Sequence, residues 1–362
     1  MMTDQKNIQA LREKIDKIDD TIIRLVDQRL VVAKEIGEIK RRQGEKLWDG
    51  ARESTLIKRL FTLDTALLSH TAISHIFMEI IAACREIQQP PRITYLGPEA
   101  TFTHIAAMKH FGHSAIFVPC SSIRDVFQDV EKGACHYGTV PVENSIEGAV
   151  NYTLDLFYEA DLKICAEIYL TVSHDLLSES GLLEDIKVIY SHPHAFAQCR
   201  RWLQKYLPQA PLEECSSTAE AAVKASKIPG AAAIANREAG HLYHLQVAAP
   251  GIEDISRNIT RFLVIGREET RQTGQDKTSV MFVTPHVPGA LHHVLEPLAK
   301  AGINMVKLES RPIKYENWSY CFFVDLEGHL EDPVMKQTLE KMKGLCPLLK
   351  YLGSYPKANE EY

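Results

Sequence analysis

Arg29 stands where a helical repeat calls for an apolar side chain. Ile8, Leu11, Ile15, Ile18, Ile22, Leu25, Val32, Ile36 and Ile39 recur at steps of three and four, and Arg29 lies in the same seam. A guanidinium there needs an anionic partner, because burying it unpaired is prohibitive. Lys40 follows eleven residues later, about 20° around the helix, so both cations point the same way and can bracket one small anion from its two ends. Arg12 is about 25 Å from Arg29 along the axis, too far to share a ligand within one chain, but an antiparallel partner can supply it. Asp49, Arg52 and Glu53 share one face of a second helix, and Gln88 ends a third. Two readings stay open here: an anion site, or interhelical salt bridges with Asp49 as a helix N-cap.

Further polar residues gather in four motifs at the ends of apolar runs: Gly97-Pro98-Glu99-Ala100-Thr101-Phe102, Pro141-Val142-Glu143-Asn144-Ser145, Ser191-His192-Pro193-His194 and Asn258-Ile259-Thr260-Arg261-Phe262. Ligands of open α/β sheets bind beyond the carboxyl ends of strands, which favours a site here. Taken singly, each motif also reads as local structure: a turn at Gly97-Pro98, N-caps at Thr101, Asn144 and Ser191, an ordinary strand threonine at Thr260. His192 and His194, two apart in a loop with no acidic or thiol neighbour, make a poor metal pair, and no metal is expected. Nearer the end, Gly289-Ala290-Leu291 opens a helix, whose free amides suit a carboxylate, and Glu309-Ser310-Arg311-Pro312 ends a strand.

The elements that must position these residues divide the chain in three. The 362 residues exceed one ordinary domain, and 45% apolar with 24% charged residues excludes a disordered, collagen-like or disulfide-dense chain. Acids outnumber lysine plus arginine by 47 to 41, so nothing electrostatic favours nucleic acid. Eight scattered cysteines without a C-x-x-C pair predict reduced thiols and a cytoplasmic location. Asp4, Glu13, Asp16, Asp19 and Asp20 argue against a signal peptide, and no apolar run reaches the roughly 18 residues of a membrane span. Pro90-Pro91 closes an all-helical segment, 1–91, and the polar stretch Arg267 to Lys277 separates an α/β segment, 92–268, from a third, 277–356. The first helix, roughly 50 Å long, cannot cover its seam with two short helices, so an intertwined dimer is expected. The second segment alternates apolar runs with helical patterns, predicting largely parallel strands in two lobes. The third reads βαββαβ, the ferredoxin-like order.

The residues Leu11-Arg12-Glu13-Lys14-Ile15, Gln28-Arg29, Lys40, Asp49-x-x-Arg52-Glu53 and Gln88 resemble the all-helical chorismate mutase family. That likeness implies that Arg12 (from a partner chain), Arg29 and Arg52 hold substrate carboxylates. Lys40 and Gln88 would face the ether oxygen, and Asp49 or Glu53 the ring hydroxyl. Cys84 departs from the serine of well-known members. The four loop motifs, with Gln198 and Ser216-Ser217-Thr218-Ala219, resemble prephenate dehydratase, a two-lobed α/β fold similar to periplasmic binding proteins. There Thr260 would donate or direct a proton to the departing hydroxide, Glu143, Asn144, Ser191 and Gln198 would complete the contacts, and Arg261 would assist. His194 replaces the usual glutamine. The two terminal motifs resemble the phenylalanine-recognition motifs of ACT regulatory domains, implying Gly289, Ala290, Leu291, Glu309, Ser310, Arg311 and Pro312 as effector contacts. Together these resemblances imply consecutive conversion of chorismate to prephenate and phenylpyruvate, without metal or organic cofactor, under feedback by phenylalanine, in a homodimer or higher oligomer. The rivals are a non-catalytic amino-acid sensor with a dimerising helix, or an enzyme with one decayed site.

Overall fold

A computed structural model describes residues 2–43, 50–88, 90–312 and 320–358. They fall into two compact units: residues up to Pro91 with Phe111–Ile116, and Arg92–His110 with the rest of the chain.

The first unit contains α1 (Met2–Gln43), α2 (Gly50–Phe61) and α3 (His70–Gln88). α1 has no proline, and Lys40, Arg41 and Arg42 in its last turn complement the negative end of the helix dipole. Its carboxyl half meets α3, where Ala33 and Gly37 are buried. Gly37 is required there, because a Cβ would lie 2.6 Å from Gln88 Cγ. Along the amino half the seam stays open: Leu11, Ile15, Ile18 and Leu25 are each more than half exposed. The predicted N-cap Asp49 lies outside the described residues.

The second unit holds three sheets. β1 (Arg92–Leu96), β2 (Ile116–Cys120), β3 (Tyr137–Asn144), β4 (Gly148–Ala149) and β5 (Lys163–Thr171) belong to the first, with α4 (Phe102–Phe111), α5 (Ile123–Glu131) and α6 (Asn151–Glu159) between them. The chain then crosses to β6 (Asp175–Ser178), β7 (Val188–Ser191), α7 (Pro193–Gln198), α8 (Arg200–Tyr206), β8 (Leu212–Glu214), α9 (Thr218–Ala225), β9 (Ala231–Ala235), α10 (Arg237–Leu242) and β10 (Gln246–Ala249). It returns as β11 (Ile259–Gly266), giving sheet orders β2-β1-β3-β11-β5, with β4 beside β3, and β10-β6-β9-β7-β8. At the crossover the Val172 amide donates to the Asn258 carbonyl at 2.7 Å, tying the two connections together.

The expected parallel character holds only in part. β1–β3, β7–β8 and β7–β9 are parallel, whereas β11 is antiparallel to both β3 and β5. β11 can be antiparallel because it re-enters from the second sheet rather than through a helical crossover within the first. β5 escaped the sequence reading because Glu167 interrupts its apolar run; that carboxylate is buried and bonded to Arg261 and Lys277.

The last segment runs β12 (Asp276–Val283), α11 (Ala290–Ala301), β13 (Met305–Pro312), β14 (Tyr320–Glu327), α12 (Pro333–Lys343) and β15 (Leu348–Pro356), in an antiparallel sheet ordered β13-β14-β12-β15. One apolar core joins it to the first sheet: Met281, Phe323 and Leu352 pack in the same cluster as Val140, Ile164 and Leu263. At Gly353 (φ +150) β15 comes so close to β5 that a methyl group would overlap the Ile164 carbonyl.

Candidate active sites

In the helical unit, α1, α2 and α3 line an open cavity of about 370 Å³, bordered by Arg29, Lys40, Arg52, Glu53, Cys84 and Gln88. Arg59 and Arg85 also border it, so among the described residues five cationic side chains and one carboxylate line it. Such an excess suits an anion of more than one negative charge. Arg29 Nη1 donates to Cys84 Sγ at 2.6 Å. Burial pushes the Cys84 thiol up and Arg29 opposes it, so the sulfur is an acceptor for Arg29 rather than a thiolate. Gln88 Nε2 donates to the Ala33 carbonyl at 2.7 Å and carries a second proton.

Glu53 carries a bond that its expected role did not include. Arg85 holds it as a bidentate pair, Nε to Oε1 at 2.9 Å and Nη2 to Oε2, while Arg85 Nη1 donates to the Phe111 carbonyl at 2.9 Å. Arg85 was missed in the sequence reading because an arginine near a helix end looks like ordinary dipole complementation. Arg12 lies on the exposed amino half of α1 and is not among the residues bordering the cavity. Gly37→Ala should displace Gln88, costing about 1–3 kcal/mol of stability through overpacking and lowering any activity of this cavity about tenfold. Thermal melting and assay of the two activities side by side would check it, and an undisturbed cavity activity would count against Gln88.

In the second unit, β3 and β11 bring Asn144 opposite Thr260. Asn144 Oδ1 accepts from the amides of Ile146 at 2.9 Å and Glu147 at 3.0 Å, which fixes which end of its side chain donates. Its Nδ2 donates to Asn258 Oδ1 at 2.6 Å and to Thr260 Oγ1 at 2.8 Å. Thr260 Oγ1 therefore accepts from Asn144, and its own proton is available for another partner. Asn258 Nδ2 donates to Gln198 Oε1 at 3.1 Å, and His174 Nε2 lies 2.9 Å from the same oxygen. A carbonyl oxygen only accepts, so His174 carries its proton on Nε2. Burial holds His174 below the ordinary histidine value against the opposing Gln198 bond, consistent with that neutral tautomer. Gln198 Nε2 in turn donates to Glu147 Oε1 at 3.2 Å, and Glu147 Oε2 pairs with His194 Nδ1 at 2.7 Å. His194, unlike the expected glutamine, thus engages Glu147. Among the described residues no group of three or more His, Cys, Asp or Glu side chains is arranged to hold a metal ion.

Three expected members lie elsewhere. Glu143 is next to Asn144 and therefore on the opposite face of β3, where Lys307 Nζ reaches it at 2.5 Å; the structure does not bring it to Thr260. Arg261 is likewise turned to that face. Ser191 is fully buried and donates to the Ile234 carbonyl at 2.8 Å, fastening β7 to β9. His174, Glu147 and Asn258 are the network members that were missed or left without a role. Only the Asn258-Ile259-Thr260 motif signalled any of them; His174 and Glu147 stand outside every motif. Thr101 caps α4 (His104 N to Oγ1, 3.3 Å) and Ser217 caps α9 (Glu220 N to Oγ, 3.0 Å), so these motifs position helices.

In the terminal segment Gly289 (φ +76) precedes α11, and Glu309–Pro312 end the edge strand β13. Ser310 is exposed, while Arg311 is half-buried and donates to Asp155 of α6 through Nη2 at 3.3 Å.

Three family descriptions match: chorismate mutase type II over residues 11–89, prephenate dehydratase over 93–270 and the ACT domain over 278–344. The chain is 45% identical to a bifunctional chorismate mutase/prephenate dehydratase of Aquifex aeolicus, over 98% of this chain and 99% of that protein. It is similar to the solved structure of a prephenate dehydratase in complex with L-Phe from Arthrobacter aurescens, with 35% identity and TM-score 0.68 over 74% of this chain and 90% of that one. It is also similar to GqqA, described as a quorum quenching acylase, with 28% identity and TM-score 0.67 over 74% and 98%.

Proposed function

Because the chain belongs to the family of bifunctional chorismate mutase/prephenate dehydratases, we propose that it performs both steps of phenylalanine formation, chorismate to prephenate and prephenate to phenylpyruvate, and is inhibited by phenylalanine. The observation that carries this reading is that one chain holds two polar constellations of different chemistry, a cation-rich cavity and a hydrogen-bonded threonine. In this reading the mutase, dehydratase and ACT domains occupy 1–91, 92–268 and 277–356. The dehydratase is periplasmic-binding-protein-like and the ACT domain ferredoxin-like.

At the first centre Arg29 and Arg52, with Arg12 of a second copy, hold the two carboxylates of chorismate. The open seam of α1 is where that copy would pack. Lys40 and Gln88 donate to the ether oxygen as it gains charge, and Asp49 or Glu53 receives the ring hydroxyl, Arg85 fixing the Glu53 carboxylate. The reaction must be accelerated by at least ~8 kcal/mol, and one well-placed donor supplies about 3, so several act together with conformational restraint.

At the second centre the bond to the departing carboxylate breaks and its electron pair enters the ring, which becomes aromatic as the carbon–hydroxyl bond breaks. Hydroxide needs a proton to leave. Thr260 directs one, its own hydroxyl oriented by the bond from Asn144, and Gln198 and Asn258 keep Asn144 in place. Glu143 and Ser191 act as struts. Gly289, Ala290 and Leu291 with Glu309, Ser310, Arg311 and Pro312 form the phenylalanine site. A cytoplasmic location accords with eight cysteines that form no disulfide, and no described helix is long and apolar enough to cross a membrane.

The test is to incubate the purified chain with chorismate alone and follow both products, with and without phenylalanine. Phenylpyruvate formed from chorismate and suppressed by phenylalanine is expected. Prephenate alone would mean a silent dehydratase, and unchanged chorismate would favour the sensor.

A further inference from the structure

Adjacent residues on a strand face opposite sides, and two adjacent pairs lie side by side here: Glu143-Asn144 on β3 and Thr260-Arg261 on β11, in register Thr260 with Asn144 and Arg261 with Glu143. Asn144 and Thr260 bond to each other on one face. On the other, Glu143 and Arg261 are gripped by the terminal segment. Arg261 Nη1 donates to Asp325 at 2.6 Å, Nη2 to the Tyr355 hydroxyl at 3.0 Å, and Nε to Glu167 of its own sheet at 3.0 Å. This cluster is buried throughout, and Ser279 also donates to Asp325 at 2.5 Å. Among the described residues Glu143 has one such grip, Lys307 Nζ at 2.5 Å, and its side chain remains 39% exposed beside a cavity of about 300 Å³. Arg261 is therefore the fixed anchor, and Lys307–Glu143 is the contact with room to change.

Lys307 lies on β13, four residues before Arg311, which holds Asp155 of α6. The strand that ends in Glu309–Pro312 thus touches the dehydratase segment at two points on one face, and one of them is the residue beside Asn144.

We propose that Lys307 is a positioning residue of the dehydratase centre: through Glu143 it sets the placement of Asn144 and Thr260, and this pair is the link through which phenylalanine bound near β13 acts on the reaction. The proposal rests on the dehydratase reading above. Lys307→Met is the variant of choice, because breaking the buried Arg261–Asp325 pair would endanger folding. In the full chain it should lower kcat on prephenate about tenfold while KM changes less than twofold, since a small misplacement acts on the reaction more than on binding. Phenylalanine at saturation should then inhibit only weakly, mutase activity should be unchanged, and Lys307→Arg should recover most of kcat and inhibition. Wild-type kcat in Lys307→Met, a loss carried by KM, full inhibition by phenylalanine, or an Arg variant as impaired as Met would each overturn it. Thr260→Val assayed in parallel separates the two levels: if it stays active the site itself is misplaced, whereas an inactive Thr260→Val beside an unaffected Lys307→Met removes this proposal alone.

Discussion

Thr260→Val should lose about a thousandfold in dehydratase kcat while the same preparation converts chorismate to prephenate at the original rate. The size follows from the worth of a positioned proton donor, roughly 10²–10⁴ in rate. The selectivity follows from the chain's division into two compact units, with the cation-rich cavity in the unit that does not contain Thr260. Valine keeps the branched shape but removes Oγ1, so Asn144 Nδ2 loses one acceptor and keeps the other, Asn258 Oδ1. The stability cost should be about 1 kcal/mol, too small to explain the rate by unfolding. Thr260→Ser retains the hydroxyl that Asn144 orients and should recover much of the activity. A Val variant with normal turnover of prephenate would remove Thr260 from the reaction, and equal loss of both activities would mean that the fold had been damaged instead.

Arg29→Ala should do the reverse, removing mutase activity by a hundredfold or more in kcat/KM and leaving dehydratase activity on supplied prephenate intact. A guanidinium that pairs with a buried carboxylate is worth about 2–5 kcal/mol on truncation. Arg29→Lys should recover little, because a point charge does not reproduce two parallel N–H donors. The opposing reading, in which Arg29 is a structural strut to Cys84, gives another result: lower melting temperature with mutase activity preserved. Stability should in fact change little, since Arg29 is only half-buried in a seam that otherwise prefers apolar side chains.

Much of this was legible without coordinates, because it is carried by local periodicity. A 3.6-residue repeat interrupted by one arginine marks both a helix and a cation on it that needs a partner. Pro90-Pro91 and the polar stretch after Arg267 marked the divisions, since proline and charge interrupt helices and cores wherever they fall. Thr260 and Asn144 stood out in motifs and Gln198 through the resemblance; of the residues bordering the helical cavity, Arg29, Lys40, Arg52, Glu53, Cys84 and Gln88 were legible, and Arg59 and Arg85 were not.

What the sequence could not determine was which distant residue lies opposite which. Glu143 and Asn144 are equally polar neighbours, and only the register of β3 against β11 turns one to Thr260 and the other to Lys307. Glu167 reads as a break in a strand until Arg261 and Lys277 arrive beside it. Arg85 reads as a helix end until α2 presents Glu53 to it. Torsions and amphipathic faces are properties of neighbouring residues, so the chain alone determined its elements and which side chains could do chemistry. A buried charge is tolerated only where a partner from elsewhere in the chain meets it, and so the tertiary structure decided which of those side chains form a site and which hold it in place.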